Sequence, residues 1–178
     1  MRAAFPVHVP IAVGDHGHMT KPLLLLDVDG VLRPFGHDEG HVEAVLDFDP
    51  IRYDPQTPAR LARLAAQFRL VWATAWEDAA NDLLAPLFEL PPLPVIRFDD
   101  QVAISDSWKL PAIKRFVGEH PFAWIDDDVG PDAHRWAGTR GVATLLLDIE
   151  PQRGLHAGHE QELLAYAASV NPGARRSP

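Results

Sequence analysis

Two aspartates, Asp27 and Asp29, stand one residue apart, after Leu23-Leu24-Leu25-Leu26 and directly before Gly30. Like charges held that close are costly unless a cation or a proton lies between them, so the pair asks for a metal. Three more acids, Asp126-Asp127-Asp128, follow the apolar run Phe122-Ala123-Trp124-Ile125. Between the two groups, Thr74 closes the apolar run Leu70-Val71-Trp72-Ala73, and Lys109 opens an amphipathic stretch. Phosphoryl transfer requires this set. A carboxylate can accept the phosphoryl group as an acyl phosphate. A divalent cation screens the attack of one anion on another, and magnesium suits carboxylate oxygens, waters and a substrate phosphate. A lysine and a hydroxyl stabilise the charge on the transferring oxygens. A second acid protonates the leaving oxygen and later activates water.

The elements that must position these groups can be read from the apolar pattern. Four leucines in a row indicate a strand covered on both faces, because such a strand is apolar without alternation. Ligands of an open α/β sheet sit at the carboxyl ends of its strands. The period of two puts both side chains of an Asp-x-Asp pair on one side. Gly30 permits the tight, close-approach turn that such an edge needs. Leu70–Ala73, Phe122–Ile125 and Thr144–Leu147 read as three further strands, and Pro94–Phe98 as a short edge strand. Helices are expected from Thr57, as N-cap before Pro58, to Phe68, and over Glu77–Phe88 with Leu83, Leu84, Leu87 and Phe88 inward. More are expected over Lys109–Val117, Asp132–Ala137 and His159–Ser169. Residues 31–56 are rich in turn formers, with strand or short-helix character only at Val42–Phe48, which suits a small hairpin or flap. Alternating strands and helices predict an α/β fold: a doubly wound parallel sheet in three layers, with no large cap domain.

At 178 residues the chain is long enough for one domain with a real core, expected over residues 21–170. Residues 1–20 read as a loose arm and 171–178 as a frayed tail. The arm is a poor match to a signal peptide. With no cysteine there is no disulfide framework and no thiolate chemistry. No apolar run approaches the roughly 20 residues of a membrane helix, and a cytoplasmic location is expected. The formal charge of -9 disfavours a general electrostatic grip on nucleic acid. Oligomeric state is not legible.

Asp27-Val28-Asp29-Gly30-Val31-Leu32 resembles the first motif of the haloacid dehalogenase-like (HAD) superfamily of phosphatases. The resemblance implies a Rossmann-like fold and assigns roles in chain order: Asp27 as nucleophile, and Asp29 as general acid/base whose backbone carbonyl reaches the metal. Thr74 takes the part of the second motif's hydroxyl and Lys109 that of the third motif's lysine. Asp126 and Asp127 form the acidic fourth motif that holds Mg2+ together with Asp27 and Asp29. Gly30, Ala75 and Trp76 are the expected substrate contacts. Locally, Trp72-Ala73-Thr74-Ala75-Trp76-Glu77, Trp108-Lys109 and Trp124-Ile125-Asp126-Asp127-Asp128 resemble the capless HAD domain of Swiss Army Knife RNA repair proteins. That likeness implies a polynucleotide phosphatase, with a phosphorylated nucleic-acid end as partner.

Competing readings stay beside these. Lys114 lies further along the same helix as Lys109 and would point elsewhere. Asp128 is either a ligand or, instead, a helix cap or a solvated acid. Trp76 and Trp108 either stack on a base or pack under the helices. Asp47-Phe48-Asp49 and Asp99-Asp100 read as loop acids. His159-Glu160 lacks the second histidine of a zinc helix, because position 163 is Leu163. Serine-hydrolase and phosphate-loop motifs are absent. The alternatives to a polynucleotide phosphatase are a small-molecule phosphatase of the same fold and a non-catalytic module that holds a metal. A carbon-halogen enzyme is disfavoured by Asp29, an acid those family members lack.

Overall fold

The computed structural model describes residues 21–36, 40–46, 49–98 and 107–171. The expected arm, the tail from residue 172, Asp47, Phe48, Asp99 and Asp100 lie outside them. Strand β1 is Leu23–Leu26, and all four leucines are buried. Alternate side chains go to opposite faces. Leu24 and Leu26 join one core with Leu61, Leu64, Leu84, Phe88 and Leu163. Leu23 and Leu25 join another with Ile113, Val117, Trp124 and Ala133. This two-faced burial is why the strand is apolar throughout, and each leucine removed from water contributes roughly 1.5–3 kcal/mol.

Helix α1, Thr57–Gln67, leads to β4, Arg69–Trp72, which pairs in parallel with β1. The chain then crosses through α3, Leu110–Val117, to β5, Phe122–Asp126, on the other side of β1. Helix α4, Pro131–Thr139, connects to β6, Thr144–Asp148, and α5, Ala157–Val170, closes the described fold. The sheet order is β4-β1-β5-β6, with every pair parallel. The chain leaves β1 towards β4 and later returns to β5, so the topological switch point lies between the carboxyl ends of β1 and β5. Ligands bind at that crevice in doubly wound sheets.

Between β1 and α1 the described residues hold a two-stranded antiparallel hairpin, β2 at Val42–Leu46 and β3 at Asp49–Tyr53. No large cap is present among the described residues, as the turn-rich composition of this segment implies.

Three local expectations change. Thr57 is not the N-cap: α1 begins on it with its side chain buried, and the preceding Gln56 is the cap residue. The Asp54 side chain accepts from the Gln56 amide at 2.8 Å, so an upstream acid starts the turn. The expected helix over Glu77–Phe88 contains a π-helical segment, Ala80–Leu84, that runs into the short α2, Ala85–Leu87. Pro86 has no amide to continue an α-helical ladder, and a π turn uses one extra residue per ring. The rotation leaves Leu84 and Phe88 buried and Leu83 and Leu87 half-buried. Pro94–Phe98 is not a full strand. A single parallel bridge joins Val95 to Trp72.

Candidate active site

Asp27 follows β1 directly, and its amide donates to the Ile125 carbonyl at 3.2 Å, extending the ladder to β5. Asp126 is the last residue of β5. The pairing therefore sets the two acids side by side at the switch point. Both are buried, Asp27 at 5% exposure and Asp126 at 0%. Lys109, the cap residue of α3, is 5% exposed. Its Nζ lies 2.6 Å from Asp126 Oδ2 and 3.0 Å from Asp27 Oδ2. Asp126 also accepts from Trp124 Nε1 at 3.0 Å and from the Asp128 amide at 3.0 Å. Carboxylate oxygens of Asp27, Asp126 and Asp127 all lie within 4.8 Å of one another. With all four groups ionised, three negative charges against one positive leave two negative charges in one small volume.

The electrostatics follow from that crowding. Burial, and then the charge of Asp126, push the Asp27 carboxyl up to about 6, with Lys109 working in the opposite direction. Burial and Asp126 also raise Asp127. Burial alone would lower Lys109, but Asp126 and Asp27 hold its ammonium above the usual lysine range.

Residues 28–33 wind into one tight turn. The Val28 carbonyl accepts from the amides of Val31, Leu32 and Arg33 at 2.9–3.1 Å. Gly30 sits in it at φ +73°, and a Cβ there would collide with the Asp127 carboxylate. Only glycine suits that conformation and that approach. Asp29 lines the same cavity outside the three-carboxylate group and is held from both ends. Trp76 Nε1 donates to Oδ2 at 2.8 Å, and Arg33 Nη1 donates to Oδ1 at 3.0 Å.

An open cavity of about 500 Å³ covers these groups. Asp27, Asp29, Thr74, Ala75, Lys109, Asp126, Asp127 and Asp128 line it, with Phe35 and Trp108 as aromatic walls. Thr74 is 1% exposed, and its Oγ1 accepts from the Trp76 amide at 3.4 Å. Asp27, Asp29, Thr74, Lys109, Asp126 and Asp127, the groups given roles in the sequence, thus converge here. Lys114 is exposed and lies 5.3 Å from the Trp136 ring, away from the acids. Of the three expected substrate contacts, Ala75 lines the cavity. Gly30 shapes it from behind Asp127, and Trp76 is half-buried against the core with its indole N–H on Asp29. Trp108 is 42% exposed and packs edge-on against Phe98.

A family model described as the HAD domain in Swiss Army Knife RNA repair proteins matches residues 23–159. The chain belongs to that family. The match runs from the first residue of β1 into α5, so the HAD domain's matched span contains every group just described. No curated protein matches the chain. The sequence assigns no site role to three residues of the HAD domain's site: Arg33, Phe35 and Trp124. Trp124 was findable, because it stands two residues before Asp126 on one strand and so shares its face. Arg33 and Phe35 lie in a turn whose path no periodicity reveals.

The acidic cluster of the HAD domain fits a divalent cation. Its donors are hard carboxylate oxygens, suitable for magnesium or calcium and unlike the imidazole and thiolate sets of zinc. Its two uncompensated charges match such an ion. No helix among the described residues is long and apolar enough to cross a membrane.

Proposed function

We propose that this HAD domain is a magnesium-dependent phosphohydrolase. It cleaves an exposed phosphomonoester through an aspartyl-phosphate, and a polynucleotide end, RNA above all, is the favoured substrate class. The single observation that carries this reading is the convergence of Asp27, Asp126, Asp127 and Lys109 at the sheet's switch point, with one face open to a cavity. Asp27 attacks phosphorus, and the bond from phosphorus to the leaving oxygen breaks. Asp29, held in place by Trp76 and Arg33, relays a proton to that oxygen; water then attacks the acyl phosphate, the bond from phosphorus to the Asp27 oxygen breaks to release phosphate, and Asp29 takes the proton the water gives up. Lys109 and the Thr74 hydroxyl balance charge on the transferring oxygens. Asp27, Asp126 and Asp127, with the backbone carbonyl of Asp29, would hold Mg2+. When bound, the ion lowers the electrostatic barrier between two anions.

Support for a macromolecular end comes from the family description and from the open cavity, over which the described residues place no large cap. The exposed Trp108 and Phe35 at its mouth offer faces on which bases stack. Asp27→Asn is expected to abolish magnesium-dependent turnover of p-nitrophenyl phosphate while circular dichroism stays unchanged. Undiminished turnover in that variant refutes the reading. A comparison of phosphorylated RNA and DNA ends with small phosphomonoesters then decides the substrate class, and turnover of the small esters alone favours a small-molecule phosphatase.

A further inference from the structure

Beside the acidic cavity lies a second open hollow, of about 380 Å³, lined by Arg33, Pro34, Phe35, Glu43, Pro50 and Arg52. Phe35, which is 50% exposed, is a wall of both, so the two spaces are neighbours across this one residue. The second space has the composition of a binding groove for a group that is part apolar and part anionic. Pro34, Phe35 and Pro50 supply flat apolar surface, Arg33 and Arg52 supply guanidinium groups, and the Glu43 carboxylate offsets the charge of Arg52, which leaves Arg33 as the anion-binding group. Arg33 donates through Nη1 to Asp29, and its side chain is 39% exposed. A guanidinium carries five donors in a planar fork, and one bond to a carboxylate leaves it able to bind a second anion. Arg52 stands on β3 and pairs with Glu43 of β2 at 2.9 Å, so the hairpin holds the second charge in place.

We propose that this groove is the leaving-group subsite, and that it selects phosphomonoesters whose leaving group carries a second anionic group, bound by Arg33. The proposal rests on the phosphohydrolase reading and adds a specificity determinant to it. One guanidinium then contacts both Asp29 and the leaving group, which brings the leaving oxygen to the residue that protonates it. The leaving group's apolar part lies against Phe35. Arg33 is a binding residue here as well as a support for Asp29, so total activity alone cannot test its part. The ratio between two substrates can, because harm to Asp29 lowers both rates alike.

The test compares 4-methylphenyl phosphate with 4-(phosphonomethyl)phenyl phosphate, which differ by one non-hydrolysable anion. With magnesium, wild-type kcat/KM is expected to favour the second by about tenfold, the order of a charge-assisted hydrogen bond. In Arg33→Gln the ratio falls to near one, and in Arg33→Lys it is partly kept. A wild-type ratio near one, or a ratio unchanged in Arg33→Gln, overturns the proposal. Calorimetric binding of 1,4-xylylenediphosphonate against 4-methylbenzylphosphonate gives the same comparison without turnover. If neither ester is hydrolysed, the phosphohydrolase reading fails, and this binding ratio alone decides whether the groove takes the anion. A 5′-phosphorylated dinucleotide and 1,4-butanediol bisphosphate distinguish a phosphodiester from a second phosphomonoester as the source of that anion. Preference for neither over 4-methylphenyl phosphate, which has one anionic group, counts against the groove.

Discussion

Asp27 is the residue on which chemistry and stability pull in opposite directions. Its folded carboxyl titrates at about 6 against an ordinary 3.8, because it is buried and faces Asp126. The folded state therefore binds this proton more tightly than the unfolded chain does. For this group, metal-free stability is complete below about pH 4 and is lost as pH rises through about 6. Asp27→Asn should remove that loss and make the metal-free protein about 1–3 kcal/mol more stable at neutral pH, at roughly 1.4 kcal/mol per pKa unit. Urea unfolding at pH 4 and pH 7.5 checks it. A variant no more stable than wild type at pH 7.5 would mean that Lys109 already compensates both carboxylates. Arg33 and Trp76 illustrate a different residue-scale point. Both oxygens of Asp29 are occupied by donors that fix its direction, which an Asp-x-Asp spacing cannot convey.

Two element-scale features depend on side chains bonded to backbone. Asn81, in the π-helical segment, accepts from Trp72 Nε1 at 2.9 Å and from the Leu93 amide at 2.8 Å, and it donates to the Leu93 carbonyl at 2.8 Å. It ties the segment to β4 and to the chain after it. Asn81→Ala would leave the buried Trp72 indole N–H unpaired, and we expect a loss of about 2–3 kcal/mol in chemical denaturation. An effect below about 0.5 kcal/mol would show that water takes over these bonds. The start of α5 is the second feature. His156 Nδ1 accepts from the Gly158 amide at 3.1 Å, and His159 Nδ1 accepts from the His156 amide at 3.4 Å. The rings stack with centroids 3.8 Å apart. Both caps need unprotonated Nδ1 atoms, and the positive end of the helix opposes added charge. Burial, then His156, lowers His159 to about 4 from an ordinary 6.5. Its contribution is therefore present above about pH 6.5 and lost as pH falls through about 4. Half-exposure screens the effect to about 1 kcal/mol. His159→Gln should flatten the fall in melting temperature between about pH 6.5 and 4. The adjacent Glu160 pairs with Arg60 and Arg63 of α1, so this His-Glu dipeptide joins two helices.

At the scale of the whole molecule, the fold stabilises an acidic site that works against it. A cation that binds the folded state alone would offset that repulsion. At a magnesium concentration about 100 times its dissociation constant, the gain is about 2.7 kcal/mol. For a domain of this size that corresponds to a rise of about 5–10 °C in Tm. Asp126→Asn should abolish the rise, and scanning calorimetry with magnesium and with a chelator checks both outcomes. An equal melting temperature in the two conditions would remove magnesium from the proposed mechanism.

The apolar runs by themselves determined the parallel, doubly wound sheet, because a strand covered on both faces must be apolar without a break. They also determined which acids, hydroxyl and amine meet, because residues at strand ends in such a sheet share one crevice. Thr57 as a cap and a regular helix over Glu77–Phe88 were misread, since Asp54 and Pro86 act through geometry that local propensity does not contain. Only the tertiary structure decided that Lys109 lies between Asp27 and Asp126, that Asp29 faces Trp76 and Arg33, and that Phe35 lines two cavities. Those relations depend on the register of β1 against β5 and on the path of one tight turn. Distances between side chains far apart in sequence are set by packing, which no single stretch of residues encodes.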